Sequence, residues 1–178
     1  MSKKIGVIVE GPTDKDFFDK HIKKQYPEIR GVKVVSSGTQ RGQKITNKTK
    51  LNSRIQDLKD KSSCDEIYVL VDLDDKSCVV TEKKDFDIKM GLSSKDEVTT
   101  VVVSTELESW MQSAWGKSDK RTKEDLKKTF KIKSNKNVEE NILKEFLKRK
   151  ENIKPENNQS LCFFLKKLGI VSEDTKCK

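Results

Sequence analysis

Acidic residues stand at or shortly after the ends of three largely apolar segments of the chain. The segments are Ile5–Val9, Ile67–Val71 and Val98–Val103, and the acids that follow them are Glu10, Asp72, Asp74, Glu106 and Glu108. Such segments predict strands, and the carboxyl ends of parallel strands share one sheet edge, where α/β proteins bind their ligands. Carboxylates that converge there repel one another unless a divalent cation lies among them. Because all-oxygen ligation suits Mg²⁺ or Mn²⁺, the sequence predicts a metal site at this edge.

Acids near helix starts have a second interpretation, which is that they only cap the helix. Asp14 and Asp16 lie in the predicted first turn of a helix, where the helix dipole favours acids, and capping is the favoured role of both. Thr13 and Asp16 have the spacing of a capping box. Capping is a weak explanation for Glu10, Asp72 and Asp74 together, since these three acids stand at the ends of two apolar segments.

A basic loop follows the second predicted strand and should emerge at the same edge as the acids. Its basic residues, in the segment from Gly38 to Lys50, are Arg41, Lys44, Lys48 and Lys50. Their position favours contacts with phosphate groups. The alternative is an exposed polar loop that leads into a helix.

The elements that position these residues are predicted from apolar runs and helical spacing. Strands are expected near residues 4–9, 32–36, 66–71 and 97–103, with helices between them. This alternation predicts a Rossmann-like α/β fold with a parallel four-stranded sheet and helices on both faces. We expect a core over residues 1–116. The lysine-rich helical extension, residues 117–178, has too few apolar residues to fold alone and is expected to pack on that core.

Composition and charge limit the classes of partner. The chain has 178 residues, a formal net charge of +9 and 38% charged residues. A basic surface favours polyanions, above all nucleic acid, although a lysine-rich surface can also serve solubility alone. The apolar block near the N-terminus is too short for a signal peptide or a membrane span, so a cytoplasmic protein without membrane contact is expected.

Few residues are available for other site chemistry. None of the four cysteines forms a Cys-x-x-Cys pair and His21 is the only histidine, so neither a zinc site nor a disulfide is expected and the thiols should be reduced. His21 is expected to be structural. Trp110 and Trp115 could stack on bases. Packing against the C-terminal helices is the favoured role of at least one of them.

Two motifs resemble those of the TOPRIM domain. Val7-Ile8-Val9-Glu10-Gly11-Pro12-Thr13-Asp14 resembles its first motif, and Leu70-Val71-Asp72-Leu73-Asp74 resembles its Asp-x-Asp motif. The resemblance covers roughly residues 4 to 115. The glycine that usually follows Asp-x-Asp in topoisomerases and primases is absent here. The segment Glu106-Leu107-Glu108-Ser109-Trp110 is instead similar to stand-alone and OLD-family TOPRIM proteins.

The resemblance implies a metal-dependent nuclease that cleaves DNA or RNA in nucleic-acid processing or phage defence. It implies catalytic and metal-binding roles for Glu10, Asp72 and Asp74, with Glu108 as a further ligand and with Glu106 and Asp14 behind it. An OLD-like role would need a separate ATPase partner chain. The alternatives are a non-catalytic nucleic-acid-binding module and a regulatory or interaction module with the same fold. A receiver-like or phosphatase domain would carry an aspartate after its first strand, where this chain has Glu10.

Overall fold

The computed structural model describes residues 3–38, 44–73, 78–103, 107–116 and 122–177. Its four strands are β1 (Ile5–Val9), β2 (Lys33–Ser36), β3 (Glu66–Asp72) and β4 (Val98–Val103). Each strand begins and ends within one residue of its predicted bounds, so these predictions are confirmed.

The four strands form one parallel sheet in the order β2-β1-β3-β4. Val7 of β1 lies opposite Val34 of β2 on one side and Tyr68 of β3 on the other. The predicted Rossmann-like α/β fold is therefore confirmed. Strand β1 is apolar throughout because it lies between two other strands and both of its faces are covered.

Helical segments connect and follow the strands. The α-helices are α1 (Pro12–Phe17), α2 (Lys23–Gln25), α3 (Lys48–Asp60), α4 (Val79–Met90), α5 (Glu108–Gln112), α6 (Thr122–Thr129), α7 (Val138–Arg149) and α8 (Gln159–Lys167). A π-helical turn, Phe18–Ile22, joins α1 to α2, and short 3₁₀ turns lie at Pro27–Ile29, Ser113–Trp115 and Pro155–Asn157. Within the described ranges, no helix is long and apolar enough to cross a lipid bilayer.

Helices α3 and α4 build the core on one face of the sheet. Their buried residues pack with alternate residues of β1 and β3 in a cluster that includes Ile8, Leu51, Ile55, Leu58, Ile67, Val69, Phe86 and Met90. The intervening residues of these strands point to the opposite face, because side chains alternate along a strand. Val7, Val9 and Leu70 are buried as well. Both faces of the sheet are therefore covered.

The described chain divides into two compact units. The first comprises Met1–Val71 with Ser77–Val102, and the second comprises Asp72–Lys76 with Val103–Lys178. The second unit thus starts earlier in the chain than the predicted extension 117–178, and it includes α5. The reason is visible at Trp110 of α5, which is fully buried and stacks on Phe164 of α8 with 5.5 Å between the ring centroids.

The start of α1 differs from its prediction. The N-cap residue is Gly11, not Thr13, and it has no side chain to form a full capping box. The Gly11 N–H donates to Asp14 Oδ2 at 2.8 Å, whereas Asp16 accepts from Lys20 Nζ at 2.7 Å. The helix begins at Pro12, two residues earlier than expected, because proline suits the first helical position, where its missing N–H costs nothing.

The prediction of four reduced cysteines is wrong for one pair. Cys162 and Cys177 form a disulfide with their Cα atoms 5.8 Å apart, while Cys64 and Cys78 are free. The chain reverses after α8 at Gly169, which has the left-handed φ of 70°, and this reversal brings Cys177 back to the helix. Disulfide pairing depends on this distance in the folded chain, which the spacing of cysteines in the sequence does not show.

Candidate functional site

Two of the predicted acidic residues lie at the ends of neighbouring strands. Glu10 directly follows β1 and Asp72 is the last residue of β3, and both side chains are partly buried. Strands β1 and β3 are parallel, with Ile8 opposite Val69, so their carboxyl ends lie at the same edge of the sheet. Asp74 and Glu106 lie outside the described residues.

The backbone around Glu10 is fixed by its neighbours in the first unit. Ser37 N–H donates to Val9 O at 2.8 Å, and Gly38 N–H donates to Glu10 O at 2.9 Å. The chain that leaves β2 therefore continues beside Glu10 before it enters the predicted basic loop. On the other side of Glu10, the Gly11 N–H holds the carboxylate of Asp14. Asp14 thus has the capping role that the sequence favoured for it.

Glu108 lies in the second unit, in the first turn of α5, and only 7% of the residue is exposed. In the same unit, Leu73 N–H donates to Val103 O at 3.0 Å and extends the pairing of β3 with β4 beyond Asp72. An ionised carboxylate as enclosed as that of Glu108 is stable only with hydrogen bonds, ion pairs or a metal ion around it. The burial of Glu108 is therefore inconsistent with a solvated helix cap.

A buried polar network fixes α5, the helix that carries Glu108. Asn158 Nδ2 donates to Ser109 Oγ at 3.1 Å, and Ser160 Oγ donates to Asn158 Oδ1 at 2.9 Å. The indole N–H of Trp110 donates to Ser160 Oγ at 2.9 Å. Sequence reasoning missed this network, although an asparagine directly before the apolar α8 is a helix-capping signal.

The described residues contain only part of the predicted ligand set. Among the described residues, no group of three or more His, Cys, Asp or Glu side chains is placed to hold a metal ion. The predicted donors are carboxylates only, because His21 is buried and stacked on Phe17 and Cys64 belongs to the core of the first unit. Such hard oxygen donors fit Mg²⁺ or Mn²⁺. Since Asp74 and Glu106 lie outside the described ranges, the ligand set stays a prediction.

The described basic residues of the loop have different surroundings. Lys44 is exposed and precedes the buried Ile45, whereas Lys48 and Lys50 belong to the first turn of α3. A Cβ atom on Gly91 would lie 2.9 Å from Lys48 Nζ, so this ammonium group lies against the C-terminal end of α4. Helix C-terminal ends attract cations, so this position of Lys48 complements the dipole of α4. Arg41 lies outside the described residues, and the phosphate-binding role of the loop stays a prediction.

The two tryptophans and the histidine pack against other aromatic side chains of the protein. Trp110 is fully buried against α8, and Trp115 meets Phe130 and Phe146 edge-on, with centroid distances of 6.0 and 5.8 Å. The predicted packing role is therefore confirmed. Burial lowers the pKa of His21, because the charged imidazolium would lose its hydration.

A comparison of the chain with protein-family models, with curated proteins and with solved structures found no match in any of the three.

Proposed function

We propose that the protein is a Mg²⁺- or Mn²⁺-dependent nuclease that acts on DNA or RNA at the carboxyl edge of its sheet. The observation that supports this most strongly is the position of Glu10 and Asp72 at the ends of the adjacent parallel strands β1 and β3. Ligands of parallel sheets bind at this edge, beside the point where the strand order reverses, and here that point lies between β1 and β3. The TOPRIM-like motifs name the same two residues.

The divalent ion would be held by Glu10, Asp72, Asp74 and Glu108, with Glu106 as a further donor. Asp14 contributes less, since one of its carboxylate oxygens already accepts from the Gly11 N–H. When bound, the ion supplies activation of water and stabilisation of charge on the phosphodiester. Carboxylates repel a phosphate by themselves, so the residues that bring the substrate to this edge must be cationic. The predicted basic loop fits that task, because the backbone N–H of Gly38 at its start donates a hydrogen bond to the backbone carbonyl of Glu10.

The cellular role that we propose for the nuclease rests on its resemblance to one group of TOPRIM proteins. The similarity to stand-alone and OLD-family TOPRIM proteins suggests nucleic-acid processing or phage defence, with an ATPase on a separate chain. We include a cytoplasmic location in this proposal because nucleic acid is abundant there. In a reducing cytoplasm Cys162 and Cys177 would be held as thiols. A reagent that blocks free thiols in intact cells before lysis should then modify both cysteines, whereas an intact disulfide would leave them unmodified and contradict this location.

The test compares Asp72→Asn with Asp85→Asn, which neutralises an exposed carboxylate on α4. Even changes next to metal ligands cost about 10–100-fold, so Asp72→Asn should reduce Mn²⁺-dependent cleavage of plasmid DNA or of a labelled RNA by about 100-fold or more. Asp85→Asn should cleave like the unmodified protein. Cleavage that persists in purified Asp72→Asn would overturn the proposal.

A second readout does not depend on turnover. A bound ion stabilises the folded protein by mass action, so millimolar Mn²⁺ should raise the melting temperature of the unmodified chain and of Asp85→Asn. Asp72→Asn should lose this shift. Salt-dependent binding of nucleic acid without cleavage and without a Mn²⁺ shift would instead favour the non-catalytic binding module, for which the net charge of +9 is the supporting observation.

A further inference from the structure

Helices α6 and α7 of the second unit lie side by side and run in the same direction. Near their N-terminal ends, Lys123 Nζ lies 2.9 Å from Glu139 Oε1. At their C-terminal ends, the guanidinium of Arg149 donates to Thr129 O at 3.4 Å and lies 4.7 Å from the centroid of the Phe130 ring. The C-terminal ends of both helices therefore meet.

Basic residues collect where these two ends meet. We call this surface the basic end, and it consists of five exposed residues: Lys128, Lys131, Lys148, Arg149 and Lys150. The nearby acids are Glu145, which is bonded to Lys148 at 2.6 Å, and the exposed Glu151. The other acids of the two helices lie in their first turns, at the opposite end: Glu124, Asp125, Glu139 and Glu140. The basic end therefore carries a net positive charge, because its five basic residues outnumber the two nearby acids.

Two lysines of the basic end occupy backbone positions that favour glycine. Lys131, which follows α6, and Lys150, which ends α7, have φ values of 55° and 54°. After three other helical segments the chain uses glycine for this left-handed conformation, at Gly91, Gly116 and Gly169, and after α3 it uses Ser63. Basic residues in the last turns, such as Lys128 and Lys148, already complement the helix dipoles. Lys131 and Lys150 therefore add positive charge beyond that of the last helical turns, at backbone positions that glycine would adopt with less strain.

We propose that the basic end binds the phosphate backbone of nucleic acid without reading its sequence. Lysine ammonium groups act on phosphates as point charges, and Arg149 is already held in place by Phe130 and Thr129. The large apolar residues that are exposed in the described ranges are Val79, Val80, Ile88 and Phe163, and none of them belongs to the basic end. Without an apolar side chain to insert into a bilayer, the surface suits the phosphate backbone of nucleic acid more than a lipid membrane.

This inference shares its substrate class with the proposed function but uses none of the carboxylates. It can therefore be tested in EDTA, where cleavage and metal binding are abolished, so that its failure is distinct from failure of the nuclease proposal. The test variant is Lys131→Gly with Lys150→Gly, because glycine suits both backbone positions and the fold should be kept or stabilised. Lys131→Asn with Lys150→Asn serves as a second variant, since asparagine also tolerates this conformation.

The control removes two exposed lysines of the first unit, Lys24→Ala with Lys33→Ala, and so makes the same change in net charge. Binding of a fluorescein-labelled DNA duplex is measured by anisotropy over a range of salt concentrations. Each lost phosphate contact reduces the slope of log affinity against log salt by about 0.9. We expect a loss of about two units of slope, and on the order of tenfold or more in affinity near 0.1 M salt, in both test variants but not in the control.

Unchanged slope and affinity in the glycine and asparagine variants would overturn the proposal. It would also be overturned if these variants melted at lower temperature and bound DNA normally, because the lysines would then serve the helices. Vesicles with 30% phosphatidylserine test the other polyanion. Binding to these vesicles that depends on Lys131 and Lys150, with no such dependence for DNA, would assign the surface to a membrane and refute our inference.

Discussion

Asn158 should contribute far more to stability than an exposed asparagine with the same capping role. Asn158 precedes α8 and Asn47 precedes α3, and their side chains accept from the N–H groups of Leu161 and Lys50 at 3.0 and 2.9 Å. Asn47 is exposed, whereas Asn158 is 2% exposed and also bonds the hydroxyls of Ser109 and Ser160. Comparing alanine at the two positions therefore isolates the buried network.

The expected cost follows from these bonds. Loss of either cap should cost about 1 kcal/mol. Asn158→Ala also deprives two buried hydroxyls of a partner, at about 1 kcal/mol each at the low end of the usual range. We expect Asn158→Ala to lower the free energy of unfolding by about 3 kcal/mol and Asn47→Ala by about 1 kcal/mol.

Urea unfolding followed by tryptophan fluorescence and by far-ultraviolet circular dichroism measures both changes. Trp110 and Trp115, the two tryptophans of the chain, both belong to the second unit, so fluorescence reports on the unit that contains Asn158. Equal losses for Asn158→Ala and Asn47→Ala would refute the reasoning, because the buried bonds would then contribute nothing beyond the cap. In that case the network could not be what fixes α5.

Two further predictions concern His21 and the disulfide. Because burial lowers the pKa of His21 in the folded state, the unfolded chain takes up the proton first as the pH falls; stability is complete above the unfolded value of about 6.5 and declines below it. His21→Phe, which keeps the stacking on Phe17, should remove this decline between about pH 7 and pH 5, and identical pH profiles of urea unfolding would contradict the assignment. Cys177→Ser opens a covalent link between residues 15 apart and should cost about 3 kcal/mol in the same unfolding assay. Dithiothreitol should destabilise the unmodified chain equally and leave Cys177→Ser unchanged, whereas an equal effect of the reductant on both proteins would exclude the disulfide as the cause.

The strands could be predicted from the sequence because each is a short apolar segment between polar ones. A run such as Ile5–Val9 has few structures available other than a strand covered on both faces, and this property is local. The alternation of strands and helices then limits the topology, since crossovers between parallel strands are right-handed. Glu10 and Asp72 could be assigned to one sheet edge by the same reasoning, before any side-chain position was known.

Contacts between residues distant in the chain could not be predicted in this way. The spacing of the cysteines did not indicate that the turn at Gly169 brings Cys177 to Cys162. The sequence pattern also did not indicate that Lys48 lies against Gly91, or that the side chain of Asn158 binds Ser109, 49 residues earlier in the chain. These contacts depend on the path of the folded chain and on how its helices pack, and helix packing is set by side-chain shape and not by periodicity.

The sequence by itself therefore determined the kind of protein, which is a parallel α/β sheet with acids at its carboxyl edge and a strongly basic surface. Only the tertiary structure decided which charges share a surface. Acids in the first turns and bases in the last turns of α6 and α7 suit any solvated helix, but the parallel packing of the two helices brings Lys128 and Lys131 to Arg149 and Lys150. Strand formation depends on residues that are close in sequence. The composition of a charged surface depends on the distances between helices and strands, and these distances are fixed only when the chain packs.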